Sequence, residues 1–124
     1  AAMGAHPADA DVQMWACWAL YSITAGEGAR GEARRQAAVD AGALPRVVAA
    51  MGGHPADALV QMWACGALYS ITAGEGARGE ARRQAAVDAG ALPRVVAAMG
   101  GHPADALVQM WACRALHSIT AGEG

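Results

Sequence analysis

The sequence predicts an all-α chain built from tandem copies of one helical unit, and three observations carry that expectation. Met3, Met51 and Met99 begin segments that realign at a constant offset of 48 residues, and residues 29–50 are identical to residues 77–98. The stretch Val60–Thr72 recurs as Val12–Thr24 and Val108–Thr120 with few changes. No segment keeps a period of two, whereas apolar residues recur at the three- and four-residue spacings of one helix side. Self-similarity at a fixed period describes a stack of units that bury their faces against one another, so the 124 residues divide into a partial repeat 1–28 and full repeats 29–76 and 77–124 of one domain.

The last repeat shows each element in turn. Residues 80–89 combine good helix formers with Ala81, Ala85 and Val87 at helical spacing, and Gly90 stands where a left-handed residue ends a helix. A second helix is expected from Ala91 to about Ala98, with Pro93 in its first turn, an apolar side of Leu92, Val95, Val96 and Met99, and Gly100-Gly101 to close it. His102-Pro103-Ala104-Asp105 opens the third and longest helix, with Pro103 expected in its first turn and Asp105 near the positive end of the dipole, and the helix should run to about Ala121.

Composition narrows the function classes. The net charge is −2, and within one unit Arg78, Arg82, Arg83 and Arg94 balance Asp57, Glu75, Glu80 and Asp88, so there is no field that would steer the chain to nucleic acid or to an anionic membrane. No apolar run approaches the roughly 20 residues of a membrane span, and the first residues lack the basic and apolar regions of a signal peptide. Cys17, Cys65 and Cys113 fall once per unit, an odd count at equivalent positions, which fits a reducing cytoplasmic or nuclear setting with thiols acting as small apolar groups rather than a disulfide framework. The chain contains no Lys, Asn or Phe, a bias expected of a skewed source composition or of a designed array.

Several patterns invite a chemical reading and do not support one. Gly26–Gly31 and Gly74–Gly79 match G-x-G-x-x-G literally, but a helix rather than a strand precedes each, so both read as loops. His6, His54 and His102 stand a whole repeat apart and cannot close on one metal ion without other donors. Arg34-Arg35 and Arg82-Arg83 alternate with acidic residues and read as a solvated face. Ser118 beside His117 makes no triad, because neighbouring residues on a helix point apart. No cofactor, no metal site and no enzymatic activity are expected.

The long helix carries two stripes. Val60, Ala64, Ala67, Leu68 and Ile71 recur at core spacing; Leu59, Met62, Trp63, Gly66, Tyr69 and Ser70 form a second stripe about 130° away at 100° per residue. Differences between copies of this helix fall at Asp11/Leu59/Leu107, Trp18/Gly66/Arg114 and Tyr21/Tyr69/His117, all on the second stripe. Trp15, Trp63 and Trp111 repeat without change and are expected to cover the flanks of neighbouring helices. The missing side chain of Gly66 leaves room for Trp18 or for a ligand.

A 48-residue unit of short, medium and long helix that contains Asp40-Ala-Gly-Ala-Leu-Pro-Arg-Val-Val48 and Val60-Gln-x-x-Ala-x-x-Ala-Leu-x-Ser-Ile71 resembles the armadillo repeat over the whole chain. The resemblance implies a right-handed α-solenoid whose third helices line a concave groove for an extended peptide. The family's groove tryptophan then falls on Trp18, Gly66 and Arg114, and its groove asparagine on Ser22, Ser70 and Ser118. A serine hydroxyl is shorter than the amide and lacks its paired donor and acceptor.

Two functional classes follow. In the first, the chain is a non-enzymatic scaffold whose groove, formed by Trp15, Trp18, Tyr21, Ser22, Trp63, Gly66, Tyr69, Ser70, Trp111, Arg114, His117 and Ser118, takes a peptide or protein. Arg114 would favour a carboxylate and Trp18 an apolar or cationic group. In the second, the chain is a structural or engineered array without a ligand, whose uncapped ends associate with other copies. A seamless continuation would need another 22-residue pair of short helices, so plain end stacking leaves a gap.

Overall fold

The computed structural model describes residue 6 and residues 8–121, and among these it contains seven α-helices and no strand. They are α1 (Ala10–Thr24), α2 (Gly28–Asp40), α3 (Ala43–Gly53), α4 (Ala58–Ile71), α5 (Gly76–Asp88), α6 (Ala91–Gly101) and α7 (Ala106–Thr120). The long helices lie side by side in the order α1, α4, α7, with α3 packed on α4 and α6 on α7.

Sequence chemistry explains where the helices begin and end. Each long helix opens on an aspartate: Asp57 accepts from the backbone N–H groups of Leu59 and Val60, both at 3.1 Å, and Asp105 does the same for Leu107 and Val108, both at 3.1 Å. These caps satisfy donors that have no partner in the helix. Pro55 and Pro103 stand in the turn before the cap, so the expectation of a proline inside the first helical turn is corrected: a bond from Asp105 N–H to the His102 carbonyl, 3.1 Å, closes a turn around Pro103. Gly42 and Gly90 take φ of 86° and 89°, as expected of residues that stop one helix and admit the next.

The core stripe of α4 is as the spacing predicts. Val60, Ala64, Ala67, Leu68 and Ile71 are all fully buried, and Leu44, Val47 and Met51 of α3 pack into the same core. The second stripe is less open than its position suggests. Met62, Gly66 and Ser70 are also buried, because α1 covers one flank of α4 and α7 the other. The same positions are open where a flank has no neighbour: Met62 is 8% exposed and Met110 38%. Cys17 and Cys65 are fully buried, and burial pushes both thiols up to about 12, so neither forms thiolate near neutral pH; Cys113 is exposed.

The short helices differ most from expectation. α5 begins at Gly76, not near Glu80, so the glycine-rich stretch is a tight turn followed by a first helical turn. Gly74 takes φ of 112°, and a Cβ on Gly79 would lie 2.5 Å from the Gly74 carbonyl oxygen, so both positions require glycine. The arginine pairs are not a solvated face. Arg82 is 1% exposed, and Arg35 and Arg83 are also buried. Arg83 donates to the Gly74 carbonyl at 2.8 Å and Arg35 to that of Gly26 at 2.8 Å, so each guanidinium clamps the turn after a long helix, where carbonyls lack helical partners. Arg82 donates to the Ile71 carbonyl at 3.1 Å and the Ala73 carbonyl at 3.0 Å, then reaches across to Gln36 at 3.2 Å and to both oxygens of Glu32. It ties two repeats together. Arg34, the equivalent residue one repeat earlier, is exposed.

Candidate binding surface

The long helices bring the repeated aromatic residues to one face. Tyr21 of α1 packs on Trp63 of α4 with ring centroids 5.8 Å apart, and Tyr69 of α4 packs on Trp111 of α7 at 5.9 Å, so the same contact recurs at each seam. Trp15 and Trp18 meet edge to face at 5.7 Å at one side of this face. At the other side the Arg114 guanidinium lies over the Trp111 ring, 5.1 Å from its centroid, in a cation–π contact.

One contact skips a helix. Tyr21 of α1 and Trp111 of α7 meet edge to face at 5.3 Å, across the middle helix. Helices at 8–10 Å spacing on either side of α4 stand roughly 16–20 Å apart, a span that these two long aromatic side chains bridge over the middle helix. Gly66 permits the meeting: a Cβ there would stand 3.4 Å from Tyr21 and 3.8 Å from Trp111. The expectation that Gly66 makes room for Trp18 is therefore corrected; Tyr21 and Trp111 take the space.

The remaining site residues divide by exposure. Trp15 is 59% exposed and Trp18 42%, and Leu59 and Leu107 are about as open, at 51% and 54%. Ser22, Arg114 and His117 are exposed, whereas Tyr21, Trp63, Tyr69 and Trp111 are half-buried in the ring contacts. Ser70 and Ser118 are buried in the seams. Thr24 donates to the Ser70 hydroxyl at 2.7 Å, and Thr72 and Ser118 share a 2.7 Å bond. These hydroxyls hold helices together, and Ser70 shows only an edge to a cleft of about 660 Å³ between Tyr21, Tyr69, Arg114 and the turns after α1 and α4.

The other candidate chemistry has structural roles. The His102 ring shares a 2.9 Å hydrogen bond with the Pro55 carbonyl, a link between successive repeats. No group of three or more His, Cys, Asp or Glu side chains among the described residues is arranged to hold a metal ion. Ser118 is engaged with Thr72 while the neighbouring His117 is exposed. No helix among the described residues is long and apolar enough to cross a membrane. Comparison with protein families, with curated proteins and with solved structures returns no match.

Proposed function

We propose that the chain is a non-enzymatic scaffold, a right-handed solenoid of armadillo type, that binds a peptide or protein along the aromatic face of its long helices. The observation that carries this reading is the set of aromatic contacts on the long helices: the Trp15–Trp18 pair on α1, and Tyr21, Trp63, Tyr69, Trp111 and Arg114 linked across the seams. Its two outer parts stay open. A half-exposed tryptophan pair is an apolar surface of the kind that folded chains seldom leave uncovered without a partner.

The two sides of the face favour different groups. Trp15 and Trp18 offer ring faces and edges to an apolar or cationic side chain. Arg114, whose guanidinium lies over the Trp111 ring, can offer its N–H groups to a carboxylate. Because Ser70 and Ser118 are spent inside the seams, side-chain contacts rather than a clamp on the peptide backbone carry recognition. The bound segment would be acidic near Arg114 and aliphatic, aromatic or basic near Trp18.

The test is selection of binders from a random peptide library on the purified chain, followed by affinity measurement with the Trp18→Ala, Arg114→Ala double variant. Truncating a central tryptophan or arginine typically costs at least about 2 kcal/mol, so a loss of roughly 30-fold or more is expected. Unchanged affinity in the double variant would remove this face as the site.

A further inference from the structure

We infer that the cleft between the turns after α1 and α4 receives the C-terminal residue of a bound peptide when that residue is arginine or lysine, its free carboxylate at Arg114 and Arg35 and its side-chain cation at Glu27 and Glu75. The inference rests on the reading of the long-helix face as a peptide-binding surface, and it names what the polar part of that surface takes.

The cleft holds about 660 Å³, within the roughly 300–1,000 Å³ usual for a small-ligand site. Arg35, Arg114, Glu27 and Glu75 all line it. They surround one space without closing on each other: among the described residues no ion pair joins either glutamate to either arginine, and Arg114 has no carboxylate partner at all. Arg35 is 8% exposed and short of acceptors. Its Nε, like that of Arg83, has no hydrogen-bond partner. Its carboxylate neighbour Glu32 stands 3.5 Å away and gives both oxygens to Arg82 of the next repeat. A buried guanidinium with a loosely held counter-charge favours a further anion beside it.

The glutamates decide which anion. Glu27 and Glu75 are exposed on the rim and repel a ligand that brings only negative charge, so a run of acidic residues is disfavoured. A ligand that satisfies both signs carries an anion and a cation a few bonds apart, and a C-terminal arginine or lysine has that pair on one residue. Tyr21 and Tyr69 line the space between, where the aliphatic stem of such a side chain can lie against their rings. Ser70 and Thr24 also reach the cleft, but their hydroxyls bond to each other at 2.7 Å. A chain that continued through the cleft would therefore lack their help for its backbone groups, whereas a terminal residue ends there.

The test is isothermal titration calorimetry of the purified chain with a peptide of five alanines and a final arginine, compared with its C-terminal amide and with the same peptide ending in alanine or glutamate. The free acid ending in arginine is expected to bind at least about tenfold more tightly than each of the others, the loss of a charge-assisted hydrogen bond being of that size. Arg114→Gln is expected to bring the acid to the affinity of the amide and to leave the amide unchanged. Glu27→Gln combined with Glu75→Gln should equalise the arginine and alanine peptides. All three positions are exposed and neither glutamate caps its helix through the side chain, so circular dichroism should match the wild type. Free arginine, the other source of this chemistry, should compete weakly because it lacks the preceding residues; competition at the affinity of the peptide would overturn the peptide assignment. Peptides selected on the chain that depend on Trp18 yet bind equally as acid and amide would overturn this inference and leave the binding face standing. Absence of any peptide binder would remove both.

Discussion

Replacing Arg82 by alanine is expected to cost about 3 kcal/mol and to lower the melting temperature by roughly 10 °C, whereas Arg34→Ala should change stability by less than about 0.5 kcal/mol. The two residues are equivalent in the repeat and differ only in what surrounds them. Arg82 is buried, with the Ile71 and Ala73 carbonyls, Gln36 and Glu32 as partners, and its removal leaves carbonyls of the α4–α5 turn without a donor. Arg34 is exposed.

Acid provides a second readout of the same contact. The hydrogen bond from Arg82, and then the nearby positive charge of Arg82 and Arg35, hold the Glu32 carboxyl below its ordinary value despite partial desolvation. Its folded value lies below the unfolded one, so its contribution to stability is present above the ordinary carboxylate range and is lost as pH falls through the lowered folded value. The gap in melting temperature between wild type and Arg82→Ala should therefore narrow on acidification. Equal melting of Arg34→Ala and Arg82→Ala at neutral pH would contradict the role given to this arginine.

Changing Gly66 to tryptophan, the residue that the first repeat carries at this position, is expected to cost about 1–3 kcal/mol, because the indole must enter the space where Tyr21 and Trp111 meet. Gly66→Ala should do the opposite. Its Cβ would rest 3.4 Å from Tyr21, an ordinary contact, and a helix interior gains up to about 1 kcal/mol when alanine replaces glycine. Thermal melts of both variants check the pair. If tryptophan is accepted without loss, Tyr21 and Trp111 do not meet over Gly66 as described.

These two positions mark where sequence reasoning succeeds and where it stops. The core stripe of α4, the aspartate caps and the left-handed glycines follow from local spacing and side-chain chemistry, and they hold in the structure. Arg82 was misjudged because its partner Glu32 lies 50 residues away on another repeat, and helical periodicity ranks both residues as surface. A signal was present: paired arginines follow a glycine-rich turn whose carbonyls come just after a helix end and need donors. Gly66 illustrates a different limit. Its place on the variable face is legible, but the meeting of Tyr21 with Trp111 over it is a property of three packed helices. No single repeat encodes it. The spacing assigns the serines to the groove, yet Ser70 and Ser118 are buried in the seams, because each bonds to a threonine of the preceding repeat.

The most direct test of the binding surface is the indole N–H spectrum of the four tryptophans during titration with a peptide selected on the chain. The resonances of Trp15, Trp18 and Trp111 are expected to move together and saturate at one affinity, while the backbone amides of Arg30, Arg34 and Arg78, exposed on α2 and α5, stay in place. Saturating shifts confined to those short-helix amides, with all indole signals unmoved, would place the site elsewhere and contradict the account.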